Sequence, residues 1–226
     1  TAGQGQGGAS QRHIQFDVQG GSGQHQSAQA GGVVYGPQTG HHGRQTVGDD
    51  HDILGLQGML LTKVIQKGLH VLCEAPMSLS FDECNQMIKA SLDCGKSLMI
   101  NHPLRFHPPV RELKRLIAEG VLGEIQSVDM ALGYSAIWPP SPNFYQDQKK
   151  TRGGILLDLG CHLIDLTLWI FGSIQHAEAV SAYKKKSDAN KDVLHSVNIV
   201  LETGIPLSIR LGNSDKLENE ITVTGS

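Results

Sequence analysis

Residues 59–101 alternate between helical and strand patterns, and this alternation restricts the fold more than any other feature of the sequence. Apolar residues at helical spacing predict helices over Met59–Gln66 and Ser80–Cys94. Short apolar runs predict buried strands over Leu69–Cys73 and Lys96–Asn101. Helices that connect successive strands in this way produce a parallel sheet with helices packed on it. The sequence therefore predicts an α/β unit in this region.

The helix predicted over Ser80–Cys94 has signals at both ends. Ser80 and Glu83 have the spacing of a capping box, and Gly95 is suited to ending the helix. One apolar stripe is expected to face the sheet. It comprises Phe81, Cys84, Met87, Ile88 and Leu92.

Two groups of polar residues follow the predicted strands. Glu74-Ala75-Pro76 comes after the first strand, and Asn101–Arg105 comes after the second. Ligands of parallel sheets bind at the carboxyl ends of the strands. These two segments are therefore candidate binding residues.

The most apolar run of the chain, Gly153–Gly172, contains Asp158, His162 and Asp165. If the run is one helix, their spacings of four and three residues place them on one face. Ionisable groups among apolar residues are costly unless they are paired or used. An acid and a base beside an apolar wall suit proton transfer, whereas a core helix with internally hydrogen-bonded polar groups is the structural alternative.

The second half of the chain predicts an α+β arrangement. A helix over Pro109–Glu119 precedes a strand over Glu124–Tyr134 and a proline-rich loop over Ser135–Arg152. After the apolar run come four strand candidates, and Thr203-Gly204 between two of them predicts a hairpin turn. The candidates are Ala177–Tyr183, His195–Glu202, Pro206–Leu211 and Glu220–Thr224. An open, mostly antiparallel sheet is expected.

Composition excludes several classes of protein. The 226 residues have a net charge of −3, and the 19 Lys and Arg against 22 acidic residues do not predict nucleic-acid binding. No run of 18 or more uncharged apolar residues predicts a membrane span. The four cysteines form no C-x-x-C pair and accompany no secretory signal, which favours free thiols and a cytoplasmic location.

Residues 1–50 differ in composition from the rest of the chain. They contain 13 Gly and 10 Gln but no Leu, Lys or Glu, so a flexible segment is expected, with short strands at Ile14–Val18 and Val33–Tyr35. Gly3–Gly8 satisfies G-x-G-x-x-G formally. Without a preceding strand, it is interpreted as a chance match to the dinucleotide motif. The five histidines between His13 and His51 have no metal-ligand spacing.

Four motifs occur in order and support a resemblance. They are H-V-L-C-E-A-P at His70–Pro76, R-F-H-P at Arg105–Pro108, L-I-A-E-G-V-L-G-E-I at Leu116–Ile125, and G-G-I-L-L-D-L-G-C-H-L-I-D at Gly153–Asp165. Over residues 56–226 the chain resembles the glucose–fructose oxidoreductase / inositol dehydrogenase (Gfo/Idh/MocA) family. Among its branches, the altered E-K-P motif and the ending I-T-V-T-G-S are similar to the glucose–fructose oxidoreductase domain-containing proteins.

The resemblance implies a division of the chain and an activity. It implies an atypical segment at 1–52, the remnant of a Rossmann-like NAD(P)-binding domain at 53–107, and an incomplete C-terminal α+β substrate domain at 108–226. NAD or NADP would exchange a hydride with a sugar or polyol carbon. A homodimer through the C-terminal sheet is also implied.

The resemblance also assigns roles to residues. Asp158 and His162 match the family's D-x-x-x-H pair, in which the histidine is the general acid/base. Glu74 and Pro76 match the outer positions of the E-K-P motif. With Asn101 and Arg105 they would line the nicotinamide side, although Arg105 could equally be a structural ion-pair residue.

Three departures from the family pattern affect these expectations. Ala75 stands where the family has its catalytic lysine, and an alanine cannot lower the pKa of a reacting hydroxyl or orient a substrate. The strand, glycine loop and helix that open a Rossmann domain are not recognisable in residues 1–50. The chain also stops at Ser226, where the family's sheet would continue. An incomplete or aberrant gene product is the resulting expectation.

Three functions compete on the sequence alone. The first is an NAD(P)-dependent oxidoreductase, and the second is a non-catalytic binding or scaffold protein on the same fold, which Ala75 favours. The third is a metal-dependent enzyme that uses Asp158, His162 and Asp165, with His102 and His107 as further donors. No ligand spacing links those donors, so no metal site is predicted.

Overall fold

A computed structural model of the chain describes part of its length. The described residues are 12–17, 33–35, 45–46, 57–133, 154–185, 191–212, 217 and 219–226. The proline-rich loop predicted over Ser135–Arg152 and the glycine motif Gly3–Gly8 lie outside these ranges.

Ten strands and five α-helices are assigned within the described residues, with one 3-10 helix at Pro103–Phe106. The strands are β1 (Arg12–Asp17), β2 (Val33–Tyr35), β3 (Gln45–Thr46), β4 (His70–Glu74), β5 (Leu98–Asn101), β6 (Ile125–Gly133), β7 (Ile174–Lys185), β8 (Lys191–Leu201), β9 (Pro206–Gly212) and β10 (Glu220–Gly225). The helices are α1 (Gln57–Gln66), α2 (Phe81–Cys94), α3 (Pro108–Ala118), α4 (Gly154–Asp158) and α5 (Gly160–Ile170).

Contacts between residues divide the chain into two units, which are described separately. The small-sheet unit comprises the described residues of Ser22–Pro103 and Pro139–His162. The large-sheet unit comprises those of Thr1–Gly21, Leu104–Trp138 and Leu163–Ser226.

In the small-sheet unit, the predicted alternation of helices and strands is confirmed. The sheet order is β3-β2-β4-β5, with β4 and β5 parallel and β2 antiparallel to β4. Helices α1 and α2 begin or end within two residues of the predicted limits. The core between the helices and the sheet consists of Leu61, Ile65, Val71, Cys73, Met87 and Ala90. The strand expected at Val33–Tyr35 is present as β2.

The predicted apolar stripe of α2 is wrong. Phe81 is 80% exposed and Leu92 is 76% exposed, whereas Met87 and Ala90 are buried. Apolar residues of α2 lie on two different sides of the helix. The line through Met87, Ala90 and Cys94 faces the core, and the line through Phe81 and Leu92 faces away from it.

The predicted capping box is also wrong. Ser80 is the N-cap residue of α2, but its side chain makes no capping hydrogen bond. The hydroxyl of Ser78 instead accepts a hydrogen bond from the backbone N–H of Ser80 at 3.2 Å and donates one to the carboxylate of Glu83. Ser78 thus takes the place of Ser80 as the hydrogen-bond partner of Glu83, while Ser80 remains the N-cap residue by its backbone conformation. The predicted stop at Gly95 is confirmed, because Gly95 adopts a left-handed conformation with φ of 60°.

The predicted single helix over Gly153–Gly172 is two helices. A turn at Leu159 separates α4 from α5, with the N–H of Leu159 bonded to the carbonyl of Ile155 and the N–H of His162 bonded to that of Leu159. Asp158 therefore ends one helix and His162 lies in the next. Glycine at position 160, with its low helix propensity, accounts for a break here.

In the large-sheet unit, the predicted open and mostly antiparallel sheet is confirmed. Its order is β1-β10-β6-β9-β8-β7, and only the β6–β9 pair is parallel. Thr203-Gly204 forms the expected turn between β8 and β9, with φ of 84° at Gly204. Side chains of one face alternate into the core. They include Val128, Met130, Val197, Ile199, Leu207, Ile209, Ile221 and Val223.

The opposite face of the large sheet is polar. The hydroxyl of Ser208 donates to the carboxylate of Asp129, and Arg210 lies 3.6 Å from the carboxylate of Glu220. On the core side, the buried hydroxyl of Thr167 on α5 donates to the backbone carbonyl of Leu163 at 2.9 Å and lies 3.9 Å from the sulfur of Met130 on β6. Helix α5 therefore packs against the middle of the sheet through Leu163, Leu166 and Thr167, all of which are buried.

Strand β1 forms where a strand was expected in the glycine- and glutamine-rich segment. It pairs antiparallel with β10, and Ile14 lies opposite Val223 while Phe16 lies opposite Ile221. Both partners on β10 are fully buried. Strand β1 thus extends the apolar face of the large sheet at its edge.

No helix among the described residues is long and apolar enough to span a membrane.

Candidate functional site

The carboxyl ends of β4 and β5 bring two predicted site residues together. Glu74 and Asn101 are register partners in the parallel pair, and each ends its strand. The side-chain amide of Asn101 donates to both carboxylate oxygens of Glu74, at 3.0 and 2.9 Å. The two segments therefore lie at carboxyl ends of adjacent strands, and the amide of Asn101 fixes the orientation of the carboxylate; their binding role stays a prediction.

A buried glutamine supports this edge of the sheet from beneath. Gln57, the first residue of α1, is only 6% exposed and donates to the sulfur of Cys73 at 2.7 Å. The same amide lies 3.5 Å from the backbone carbonyls of Glu74 and Pro76. It therefore joins α1 to the segment that carries Ala75, where the Ala75–Pro76 peptide bond is cis.

Cys73 is held in its thiol form. Burial raises its pKa from 9.0 to about 11, and the nearby carboxylate of Glu74 acts in the same direction, whereas the hydrogen bond from Gln57 opposes the shift. The four cysteines are free thiols, as the sequence predicts. A buried thiol with so high a pKa is a poor nucleophile, so Cys73 is structural.

His162 lies against a second histidine. The ring centroids of His102 and His162 are 5.6 Å apart, and the ring planes make an angle of 82°, so the edge of one ring meets the face of the other. Both side chains are half-buried and belong to the small-sheet unit. His102 directly follows Asn101, so the amide that holds Glu74 and the ring that packs on His162 come from consecutive residues at the end of β5.

Asp158 occupies the last position of α4 and is half-buried. Its backbone carbonyl accepts a hydrogen bond from the thiol of Cys161 at 3.1 Å, which tightens the turn between α4 and α5. Because this turn interrupts the helix, the four-residue spacing from Asp158 to His162 does not follow an unbroken helical face. The orienting role that the resemblance gives Asp158 stays a prediction.

In the large-sheet unit, Arg105 and Asp165 form a bidentate ion pair. The guanidinium contacts the carboxylate at 2.7 Å through Nε and at 2.5 Å through Nη2. The side chain of Asp165 is 12% exposed and that of Arg105 is 39% exposed. The hydrogen bonds to Asp165 raise the pKa of Arg105. Of the two roles considered for Arg105, the ion pair is observed, and contact with a cofactor remains a prediction.

Trp169 joins this ion pair to α3. The Nζ atom of Lys114 lies 4.1 Å from the indole centroid and donates to the backbone carbonyl of Trp169. The guanidinium carbon of Arg105 lies 5.6 Å from the same centroid. Two cations therefore contact one indole ring and tie α5 to the chain around α3.

Two residues of the site region escape sequence reasoning. The sequence suggested His102 only as a possible metal ligand. Its position directly after a predicted strand could also have indicated a site residue. Gln57 gave no signal, because a polar residue before an apolar helix looks exposed. Among the described residues, no group of three or more His, Cys, Asp or Glu side chains is placed to hold a metal ion.

The family comparison agrees with the arrangement of the large sheet. The family model of the GFO/IDH/MocA C-terminal domain matches residues 110–226, which is just over half of the chain. The chain therefore belongs to the Gfo/Idh/MocA family of oxidoreductases, as the four sequence motifs indicate.

Curated relatives extend the similarity to residues before the large sheet. The chain is 30% identical over 150 residues to scyllo-inositol 2-dehydrogenase (NADP(+)) IolW of Bacillus subtilis, covering 66% of this chain and 40% of that protein. It is 30% identical over 160 residues to trans-1,2-dihydrobenzene-1,2-diol dehydrogenase of Sus scrofa, covering 70% and 46%. The chain thus spans less than half the length of these relatives.

Solved structures confirm the fold. The WlbA dehydrogenase from Bordetella pertussis, solved with NADH and UDP-GlcNAcA, superposes with a TM-score of 0.62 at 22% identity, covering 76% of this chain and 51% of that one. The predicted α/β plus α+β fold class, with a Rossmann-like part and an open mixed sheet, is therefore confirmed.

Proposed function

We propose that this protein is an NAD(P)-dependent oxidoreductase of the glucose–fructose oxidoreductase type, acting slowly on a hydroxyl or carbonyl of a sugar or polyol. The observation that carries the proposal is the Glu74–Asn101 pair at the carboxyl ends of two adjacent parallel strands. That edge is where parallel α/β sheets bind their ligands. The same unit contains His162, a candidate acid/base.

The residues at this edge fit the nicotinamide end of the cofactor. A nicotinamide carboxamide needs both a donor and an acceptor, and Asn101 and Glu74 supply both. A carboxylate also favours the positively charged oxidised ring. Pro76 is the other residue of this unit that we assign to this side, by its match to the family's E-K-P motif. Bound there, the cofactor would accept or give the hydride.

His162 would handle the proton of the reaction. In alcohol oxidation, the hydride leaves the carbon and the hydroxyl loses a proton, which the imidazole accepts as the carbonyl forms. In reduction, the imidazolium returns that proton to the oxygen. An imidazole suits both directions because its ordinary pKa lies close to neutral pH. We assign Asp158 the role of orienting this ring.

Ala75 limits the rate in this proposal. The family's lysine would lie beside the reacting oxygen and stabilise negative charge on it, and a methyl group cannot. Loss of one such electrostatic group typically costs about 10²–10³ in kcat. Slow turnover with retained binding is the expected phenotype.

The second candidate is a non-catalytic binding or scaffold protein on the same fold. Ala75 is the specific observation in its favour, since it removes chemistry without disturbing the strand end on which Glu74 lies. Under this candidate the Glu74–Asn101 edge binds a nucleotide or sugar but supports no hydride transfer.

Restoring the lysine separates the two candidates. We would compare the wild-type protein, Ala75→Lys and the double variant Ala75→Lys/His162→Gln, using NAD⁺ and NADP⁺ with a panel of sugars and polyols, and follow formation of the reduced cofactor. We expect Ala75→Lys to raise turnover by roughly 10²–10³ and His162→Gln to abolish the gain. Cofactor binding without any turnover in Ala75→Lys would establish the non-catalytic candidate instead.

Two further proposals concern the setting of the protein. The four free thiols support a reducing, cytoplasmic location.

Homodimerisation through the polar face of the large sheet is supported by family resemblance, and sedimentation of the purified protein at several concentrations would test it. A monomer at all concentrations would contradict it.

A further inference from the structure

We infer that His102 is a positioning residue that modulates the charge of His162, because a proton on either imidazole disfavours a proton on the other. The inference rests on the proposed acid/base role of His162. It adds to that role a second residue for which the family motifs quoted above have no counterpart.

The geometry of the pair is the first argument. The ring centroids lie 5.6 Å apart in an edge-to-face arrangement, and both rings are half-buried. Two positive charges at this distance repel each other, so a proton on one ring opposes protonation of the other. Titratable groups that interact in this way lose their protons in two steps that belong to the pair and not to either residue.

The attachment of the two rings is the second argument. His102 follows directly on β5, whose last residue, Asn101, is hydrogen-bonded to Glu74. His162 lies in the first turn of α5, and its N–H is bonded to the carbonyl of Leu159. His102 is thus held between the end of β5 and the 3-10 helix that begins at Pro103, and His162 is held in α5, which keeps the ring contact defined.

Four charged residues lie near the two histidines in the chain or on the adjoining strand end. They are Glu74, Asp158, Arg105 and Asp165. The carboxylate of Glu74 accepts two hydrogen bonds from Asn101, and the charge of Asp165 is offset by Arg105. Asp158 would favour the imidazolium form of His162, whereas His102 opposes a second positive charge.

The chemical consequence is that double protonation of the pair is disfavoured. A neutral His162 imidazole, which can accept the substrate hydroxyl proton, is therefore favoured whenever His102 carries a proton. His102 acts through His162 and need not touch the substrate.

A titration of the histidine ring signals tests the inference without cofactor or turnover. We would record ring ¹H–¹³C NMR spectra of the full chain over a range of pH and assign the two rings with His102→Gln and His162→Gln. For wild type, we expect the His162 signal to follow a broadened curve. In His102→Gln it should follow a sharper single step whose midpoint is higher by up to about 0.5–1 pH unit, which is the full repulsion of two unit charges 5.6 Å apart at a dielectric constant of about 80 to 40.

Two control variants give the experiment its specificity. His102→Phe keeps an aromatic ring without a titrating group and should give the same single step as His102→Gln. His107→Gln, at the N-cap of α3, should leave the His162 curve unchanged. Dispersed methyl signals in each variant would confirm folding.

The inference is overturned if wild-type His162 titrates in one step with the same midpoint as in His102→Phe. That result would mean that the ring contact is packing only. The proposed function has a separate readout in cofactor binding, so failure of one is distinguishable from failure of the other.

Discussion

At the scale of single residues, the most sharply defined environment is that of Cys73. Its sulfur accepts a hydrogen bond from the buried amide of Gln57, and its thiol donates to the backbone carbonyl of Glu74 at 3.2 Å. Burial is the main cause of its raised pKa. A thiol in such a place couples the stability of the fold to pH in the alkaline range.

We predict that the free energy of unfolding decreases above about pH 9 because of Cys73. The thiol is neutral in both states below its ordinary pKa of 9.0. Between 9.0 and about 11, the unfolded chain loses this proton and the folded chain keeps it, so the stabilisation is lost as pH rises through that window. The contribution is about 2–3 kcal/mol, to be measured by urea unfolding at several pH values.

The control for this prediction is a comparison of pH slopes rather than of stabilities. Cys73→Ala loses packing and is less stable at every pH, but its alkaline slope should be shallower than that of wild type. Cys84→Ala should largely keep the wild-type slope, since burial raises the pKa of Cys84 as well but its side chain is only half-buried. Equal slopes in wild type and Cys73→Ala would contradict the assignment.

The Arg105–Asp165 ion pair gives a second prediction at this scale. Arg105→Gln leaves a mostly buried carboxylate without its counter-charge, so we expect unfolding to be easier by about 1–2 kcal/mol, a value reduced for the partial exposure of the arginine. Thermal or urea unfolding measures it. The matched control is Arg115→Gln, which removes exposed pairs with Glu112 and Glu119 and should change stability little. Similar decreases in the free energy of unfolding in both variants would show that the Arg105–Asp165 pair stabilises the fold no more than the exposed pairs of Arg115 do.

At the scale of secondary-structure elements, the sequence predicts which segments are helices and strands better than it predicts which faces are buried. Met87 and Phe81 are both apolar residues of α2, yet only Met87 faces the sheet. Periodicity cannot choose between two apolar sides of one helix, because the choice depends on the sheet on which the helix lies. The bond of Ser78 to Glu83 was missed for a similar reason, since the Ser78 hydroxyl reaches α2 through a turn that the spacing rule does not describe.

The break between α4 and α5 shows a limit of a different kind. The apolar content of Gly153–Gly172 predicts one helix, and the turn at Leu159 separates Asp158 from His162. Gly160 was the available signal, but a single glycine inside an apolar run is often tolerated within a helix. The pairing of His102 with His162 depends on tertiary structure, so no local pattern could have revealed it.

Strand β1 provides the prediction at the element scale. Ile14 lies opposite the buried Val223, whereas Gln15 lies opposite Thr222 on the other face and donates to Glu220. We expect Ile14→Asp to destabilise the protein by about 1–3 kcal/mol, because it places a charge on the apolar face of the sheet. Gln15→Lys, one residue away, should change the free energy of unfolding by less than about 0.5 kcal/mol. Urea unfolding of both variants measures the difference.

Equal, small effects of these two substitutions would contradict the register of β1 on β10. The comparison is informative because a one-residue slip would exchange the faces of Ile14 and Gln15. The composition of residues 1–50 predicts a segment with little capacity to fold alone. Pairing with an existing sheet edge supplies the apolar surface that this segment lacks by itself.

At the scale of the whole molecule, two sheets of different kinds were predictable from the sequence. Helix–strand alternation indicates the parallel β4–β5 pair, and the hairpin turn at Thr203-Gly204 indicates the antiparallel large sheet. The addition of β2 and β3 to the small sheet was less predictable, because their residues lie in a segment without regular patterning. The resemblance in four motifs was more informative about family than any pattern of periodicity.

We propose that the Glu74–Asn101 edge binds a nicotinamide cofactor. Calorimetric titration of the full chain with NAD⁺, NADH, NADP⁺ and NADPH tests this proposal most directly. We expect saturable one-site binding of at least one of them with a Kd below about 1 mM, equivalent to about −4 kcal/mol or better. Asn101→Ala should weaken it several-fold, and Glu112→Ala on the exposed face of α3 should not. Absence of binding by every form of the cofactor at millimolar concentration would contradict the claim.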